Sequence, residues 1–437
     1  MPDVETAAFA LVVIAFVAVS RRVGRLHLTA PIVFTAVGYL ASRQVGTTVD
    51  AALIRSIAEA TLAVVLFHDA AQVRPAHLRS DVGLCLRLLG IGLPLTILLG
   101  LGLSHLLMPT LGIALALLLA STLAPTDAGL GAATVLNPVV PVRVRRILNV
   151  ESGLNDGLAT PVVLFALALA GVPASEEGRV VAAAVRELFV GASIGIGLGA
   201  LCGAVLAAAV ARGWAERGLT PVATLAVPML TYYGSVAVSG NGFVAAFVSG
   251  TAFAWAMERR RSTTAEHTDV QESLELAEWV SIVAGYVVWA LFGFAALGSL
   301  ATALTWQAVL FALLSLTVLR MIPVAVALIG TGLRRETVLF IGWFGPRGLA
   351  SVVFAVIAVE SLPLTDELRL VLATTALTVL MSVVLHGITA DPLAARFGAW
   401  AGRTAPVEEL RSAVEPGRGR SGIAPDVDRP PTVGGPG

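Results

Sequence analysis

Apolar stretches long enough to cross a bilayer recur from about residue 6 to residue 389, and only short loops separate them. Backbone in lipid must satisfy its own hydrogen bonds, which leaves helices and closed barrels as the available structures. Runs of about 17–25 apolar residues have the length of a membrane helix, roughly twice that of a membrane strand. The hydropathy divides into about thirteen such segments, near 6–20, 28–44, 51–68, 84–107, 111–134, 151–171, 188–211, 220–238, 241–257, 277–299, 304–330, 336–359 and 369–389. The first is short, but no small-residue cleavage site follows it before Arg21, so it reads as a span and not as a signal peptide. A chain that is 57% hydrophobic and 13% charged, with a mean hydropathy of +0.86, is not a soluble domain. The expectation is an all-α polytopic membrane protein.

Arginine placement sets the orientation. One set of alternate loops holds Arg21, Arg22 and Arg25; Arg74 and Arg79; Arg143, Arg145 and Arg146; Arg212 and Arg217; Arg259, Arg260 and Arg261; and Arg334 and Arg335. The opposite set holds Arg43, Arg55, Arg179, Arg186 and Arg369, together with Glu176, Glu177, Glu360 and Glu367. The positive-inside rule then puts the N-terminus outside and the C-terminus in the cytoplasm of a cell-membrane protein. Residues 1–395 form the membrane domain. Residues 396–437, rich in Pro, Gly, Arg and acid from about Ala401, read as a disordered cytoplasmic tail without a glycine-rich phosphate loop. The formal net charge of zero, with no basic patch interleaved with aromatics, argues against nucleic acid as a partner. Cys85 and Cys202 lie in apolar runs, which argues against a disulfide framework.

Two spans carry helix breakers at mid-depth. The fifth reads Ser121-Thr-Leu-Ala-Pro125-Thr126-Asp127-Ala128-Gly129, and the twelfth Gly342-Trp-Phe-Gly345-Pro346-Arg347-Gly348. Proline removes a backbone donor and clashes with the turn before it, so both helices should unwind there. Unwound backbone at that depth is tolerated only against protein or a watery cavity. The two spans lie seven apart, and an odd offset makes them antiparallel. That is the pattern of a transporter site between inverted repeats, here spans 1–6 and 8–13 with the seventh as linker. Arg347 then has two readings: a charge that offsets helix-end carbonyls or the negative charge around Asp127, or an arginine that snorkels to the interface.

Between the breaks lies Glu151-Ser152-Gly153-Leu154-Asn155-Asp156. Positions 151, 152, 155 and 156 fall within about 140° of one helix face, so a hydroxyl, an amide and two carboxylates point the same way. Ionisable residues inside a membrane helix mark function, and a hard cation wants these oxygens. One buried carboxylate taking either a proton or a cation would make the two compete for a single charge. Other candidates carry less. His68 beside Asp69 sits in imidazole's titration range but near a boundary. His105 and His386 have no metal-ligand spacing, and Glu258-Arg259-Arg260-Arg261 reads as a solvated loop. An intramembrane aspartyl protease lacks its Tyr-Asp and Gly-x-Gly-Asp signatures, and a cation channel lacks a filter loop. The chain reads as a transporter and not as an enzyme, and no cofactor is expected.

At these residues the chain resembles the monovalent cation:proton antiporter-1 family, the NhaP-type Na+/H+ exchangers. The matching motifs are Thr126-Asp127, Glu151-Ser-Gly-Leu-Asn155-Asp156, Arg320 and Gly345-Pro-Arg347-Gly, and the likeness covers essentially residues 1–395. It implies a thirteen-helix, NhaA-like fold of inverted repeats with two discontinuous crossed helices, interleaved core and dimerisation domains, and a homodimer in the bilayer. It implies electroneutral exchange of Na+ for a proton by alternating access, with K+/H+ or mixed exchange as the alternative. Carried over, Asp156 resembles the carboxylate that takes the cation or the proton, and Asn155 its neutral partner. Ser152 resembles a side-chain ligand, Thr126 a carbonyl ligand, and Asp127 a further site carboxylate. Glu151 and Arg320 resemble a buried ion pair linking the halves, and Asp69 stands where some relatives have a contributing Glu. The family's usual Pro after Thr-Asp is Ala128 here, with Pro125 before the Thr.

Overall fold

The computed structural model describes residues 2–25, 28–44, 51–73, 81–127, 129–130, 137–259, 270–404, 406 and 409–410. Ala128, Arg74, Arg79, Arg260, Arg261 and the tail from residue 411 lie outside the described residues. The apolar runs fold as helices, and no strand occurs among the described residues. In chain order these are α1 (Pro2–Arg25), α2 (Ala30–Gln44), α3 (Ala51–Gln72), α4 (Val82–Leu107), α5 (Ile113–Thr122), α6 (Val142–Ala170), α7 (Glu177–Ala211), α8 (Thr220–Ala237) and α9 (Gly242–Arg259). There follow α10 (Val270–Ala303), α11 (Trp306–Leu316), α12 (Val318–Ala327), α13 (Arg335–Trp343), α14 (Leu349–Ser361) and α15 (Asp366–Thr404). Six helical stretches among the described residues are long and apolar enough to cross a membrane unaided: α4, α6, α7, 272–294 of α10, α11 with α12, and α15.

Each of the segments expected from hydropathy contains helix, but several boundaries move. Arg143, Arg145 and Arg146 were expected in a loop; they are helical and buried in the first turns of α6. Asp81 explains this, for its Oδ1 accepts from Arg143 Nε at 2.7 Å and its Oδ2 lies 3.8 Å from Arg146 Nη1. Helix α15 continues through Thr404, into the segment 396–437 expected to be disordered. Its last turns have a packing partner: Phe397 stacks on Phe340 of α13 with ring centroids 4.1 Å apart. An interruption that proline placement did not announce separates α11 from α12 at Thr317. There the Thr317 hydroxyl donates back to the Leu313 carbonyl at 2.7 Å, an arrangement that bends helices.

Helix packing places α6 at the centre, against α3, α5, α7, α9, α13 and α14. The most extensive contact joins α7 to α9. Gly191, Gly195, Gly199 and Gly203, one every four residues, form a stripe on α7 against the backbone at Asn241, just ahead of α9, and at Ala245, Ser249 and Phe253 within it. A β-carbon at any of these glycines would run into that backbone, so the approach depends on their having none. The main apolar core gathers Phe34, Leu62, Leu119, Val163, Trp289 and Phe354. A second cluster joins Val144, Ile147, Val324, Phe340, Phe344 and Phe397 around the start of α6.

Candidate functional site at the crossing of two unwound segments

Helix α5 stops at Thr122, and the chain runs on as non-helical backbone through Asp127. Helix α13 stops at Trp343, and helix resumes only at Leu349. The two stretches carry Pro125 and Pro346, where the chain lacks the donor that a helix needs. They meet: the Asp127 N–H donates to the Pro346 carbonyl at 2.8 Å.

Among the described residues, the ends of α5 and α13 and the start of α14 face this crossing, and each needs partners for its orphaned backbone groups. On the α5 side, the Thr122 carbonyl accepts from the Ser351 hydroxyl at 2.7 Å. The Ala124 and Pro125 carbonyls accept from Arg347 Nη1 at 2.8 and 3.1 Å, while Arg347 Nη2 lies 3.4 Å from the Ser315 carbonyl. At the start of α14, Leu349 N–H donates to Asp127 Oδ2 at 2.8 Å, and Asp127 Oδ1 accepts from Gly129 N–H at 2.7 Å. A cation therefore sits at a helix C-terminus and an anion at a helix N-terminus, the favourable sense for both dipoles. Glycine at 348 is required sterically, because a β-carbon there would fall on the Asp127 carboxylate. The snorkelling alternative for Arg347 does not hold: the side chain is 0% exposed and its Nη groups reach backbone carbonyls.

Directly beside the crossing stands the polar face of α6. Thr126 Oγ1 and Ser152 Oγ are 2.9 Å apart, and Asn155 Nδ2 donates to Thr126 Oγ1 at 2.7 Å. An oxygen that accepts from the amide still has one hydrogen to give, so the Thr126 hydroxyl can donate to Ser152. Asn155 is 1% exposed, and its Oδ1 has no hydrogen-bond partner among the described residues. Buried amide oxygens are nearly always satisfied, so this acceptor marks a place for a donor or a cation. Asp156 is buried on the same helix. One turn earlier, Glu151 meets Arg320 of α12 in a two-pronged pair, Nη1 to Oε1 at 2.5 Å and Nη2 to Oε2 at 2.6 Å. Gly345 lies against both Arg320 and Thr126, leaving no room for a side chain. Asp69, half-buried on α3, packs beside Gly153.

Most of the residues singled out in sequence therefore converge: Thr126, Asp127, Glu151, Ser152, Asn155, Arg320 and Arg347 share one hydrogen-bonded neighbourhood. Asp127 carries a task not anticipated, with both carboxylate oxygens engaged by backbone N–H groups. Thr126 joins the network through its hydroxyl, where only its carbonyl was expected to act. His68 is buried and takes a short bond from the Gln72 amide at 2.5 Å. Sequence reasoning missed Ser315, Ser351, Ser382 and His386, which serve the break from other helices. Only the four-residue spacing of Ser382 and His386 on an apolar helix could have flagged the last two.

The family described as "Sodium/hydrogen exchanger, transmembrane" matches residues 9–396. A Na(+)/H(+) antiporter of Schizosaccharomyces pombe is 26% identical over 273 residues, which cover 59% of this chain and 56% of the relative. The chain thus spans little more than half the length of that curated relative. The structure of the sodium proton antiporter MjNhaP1 from Methanocaldococcus jannaschii at pH 8 matches with a TM-score of 0.72 at 19% identity, over 89% of this chain and 100% of that one. An electron-microscopy map of MjNhaP1 matches with a TM-score of 0.72 at 20% identity, over 91% and 98% of the two chains. At such identities these structures show a shared fold. A match that spans nearly the whole chain and takes in both unwound segments and the α6 face settles the family: the chain belongs to the sodium/hydrogen exchangers.

Proposed function

We propose that this protein exchanges Na+ for a proton across the cell membrane by alternating access, with Asp156 as the carboxylate that takes either ion. The observation that carries the reading is the polar face of α6 set against an unwound crossing, deep among apolar helices. Ser152, the Thr126 backbone and the open Asn155 oxygen supply the neutral oxygens that a hard cation needs. The half-buried Asp69 stands one helix away as an auxiliary acid. A charged, empty carboxylate is costly to carry past apolar surface, so the moving domain crosses only when Asp156 is neutralised by one ion or the other.

In this reading Asp127 holds the crossing and does not ligate the ion, because its oxygens already serve Gly129 and Leu349. Glu151 and Arg320 tie α6 to α12 and stay out of the exchange, since each neutralises the other. One exchangeable carboxylate, with Asn155 in place of a second acid, makes the exchange electroneutral. The protein crosses the membrane thirteen times as inverted repeats 1–6 and 8–13, with its N-terminus outside, and works as a homodimer. Core and dimerisation subdomains interleave within residues 1–395, ahead of a cytoplasmic tail.

The test is dissipation of a pH gradient in proteoliposomes by Li+, Na+, K+ and Rb+. Na+ is expected to dissipate it. Selective dissipation by K+ would move the substrate to K+/H+ exchange, and inertness to all four ions would overturn the reading.

A further inference from the structure

His386 lies on α15 and is buried with Ser382 one turn before it. Its Nε2 is 2.9 Å from the carbonyl of Trp343, the last residue of α13. A carbonyl oxygen only accepts, so Nε2 carries the hydrogen. Its Nδ1 lies over Ser382, 3.2 Å from the hydroxyl and 2.9 Å from the carbonyl oxygen. The Ser382 hydroxyl oxygen in turn accepts from the Arg347 N–H at 2.7 Å. One turn of α15 therefore holds both sides of the break in the twelfth span: residue 343 by its carbonyl and residue 347 by its N–H. The Trp343 ring lies against the imidazole at 5.3 Å, and its Nε1 donates to Thr389 at 3.0 Å.

The consequence reaches the ion site through Arg347. Its guanidinium holds the Ala124 and Pro125 carbonyls, and the next residue is Thr126. The distance spanned between residues 343 and 347 thus sets where Arg347 stands, and Arg347 sets where Thr126 stands. We propose that His386 is a positioning residue for ion exchange, its Nε2–H and the Ser382 hydroxyl together fixing the span of the α13–α14 break and through it the cation site. The proposal rests on the exchange reading above, and it assigns His386 no contact with the ion.

Two near-isosteric variants separate the links. His386→Gln keeps a donor at the Nε2 position, and His386→Asn keeps only the Nδ1 side. Na+-driven exchange is measured in proteoliposomes as half-saturating Na+ and maximal rate, with melting temperature alongside. The expected result is that His386→Asn raises the half-saturating Na+ about tenfold, the scale of one lost buried hydrogen bond. His386→Gln stays within about twofold of the parent, and the maximal rates change little. Equal behaviour of the two variants, or a loss confined to melting temperature and maximal rate, overturns the proposal, because a packing role would give that pattern. If His386→Asn does not fold, Ser382→Ala decides: it removes the acceptor for Arg347 N–H, and an unchanged half-saturating Na+ would refute the positioning chain. Absence of exchange in the parent protein would instead sink the functional reading, so the two failures are distinct.

Discussion

Asp127 and Arg347 each cap the half-helix to which the other is attached. Arg347, just ahead of α14, donates to the carbonyls of Ala124 and Pro125 beyond the end of α5, and Asp127, on the α5 side, accepts the Leu349 N–H at the start of α14. The backbone bond from Asp127 to Pro346 lies between them. Because both ends are buried, losing either cap leaves groups that water cannot reach, a penalty of roughly 1–3 kcal/mol for each such group.

The first prediction follows from that exchange of caps. Arg347→Lys keeps the charge but gives up the planar fork that serves Ala124, Pro125 and Ser315 together. Exchange is expected to fall well below the parent, with a lower melting temperature in detergent. Full transport at unchanged Na+ affinity would show that the fork is dispensable.

Glu151 and Arg320 lie 169 positions apart in the chain. Removing one partner leaves a buried lone charge, worth roughly 3–5 kcal/mol. Arg320→Ala should therefore melt well below the parent, while Glu151→Ala combined with Arg320→Ala recovers part of the loss. A double variant no more stable than the sum of the single effects would show that the pair does not couple.

Stoichiometry tests the role of Asn155. With one exchangeable carboxylate, Na+-driven proton movement should ignore an imposed membrane potential set with valinomycin and K+. Marked acceleration by voltage would require a second titrating group in the cycle.

A fourth prediction concerns the end of the described chain. The buried Glu409 carboxylate accepts from the Arg334 N–H at 2.9 Å and the Thr337 hydroxyl at 2.7 Å, capping the first turn of α13. Glu409→Ala should cost about 0.5–2 kcal/mol, as loss of a helix cap does, read as a lower melting temperature with exchange preserved. An unchanged melting temperature would show that this cap does not contribute to stability.

The last prediction is the one on which the mechanism depends. Asp156→Asn keeps size and hydrogen bonding but removes the charge for which both ions compete. Exchange should drop to background while size-exclusion chromatography still shows intact protein, since a neutral amide is cheaper to bury than a carboxylate. Substantial exchange by the folded variant would transfer the ion to another acid, with Asp127 and Asp69 the next to test.

Local chemistry made the helices and their breaks legible in the sequence. Apolar runs must close their own hydrogen bonds in lipid, and Pro125 and Pro346 cannot donate one, so helix and interruption both follow from nearest neighbours. The same holds for the α6 face, where helical spacing alone aligns Glu151, Ser152, Asn155 and Asp156. What the breaks do with their orphaned groups was decided only by the tertiary structure. Arg347 finds the Ala124 carbonyl across 223 positions, and Asp127 finds Leu349 across 222. Ser382 and His386 serve the same break from a helix that looked merely apolar, and Asp81 draws Arg143 and Arg146 out of an expected loop into buried helix. Residue spacing along one helix is a geometric property of the chain, whereas the partner of a buried charge depends on which helices pack together, and that is settled by the whole set of side chains at once.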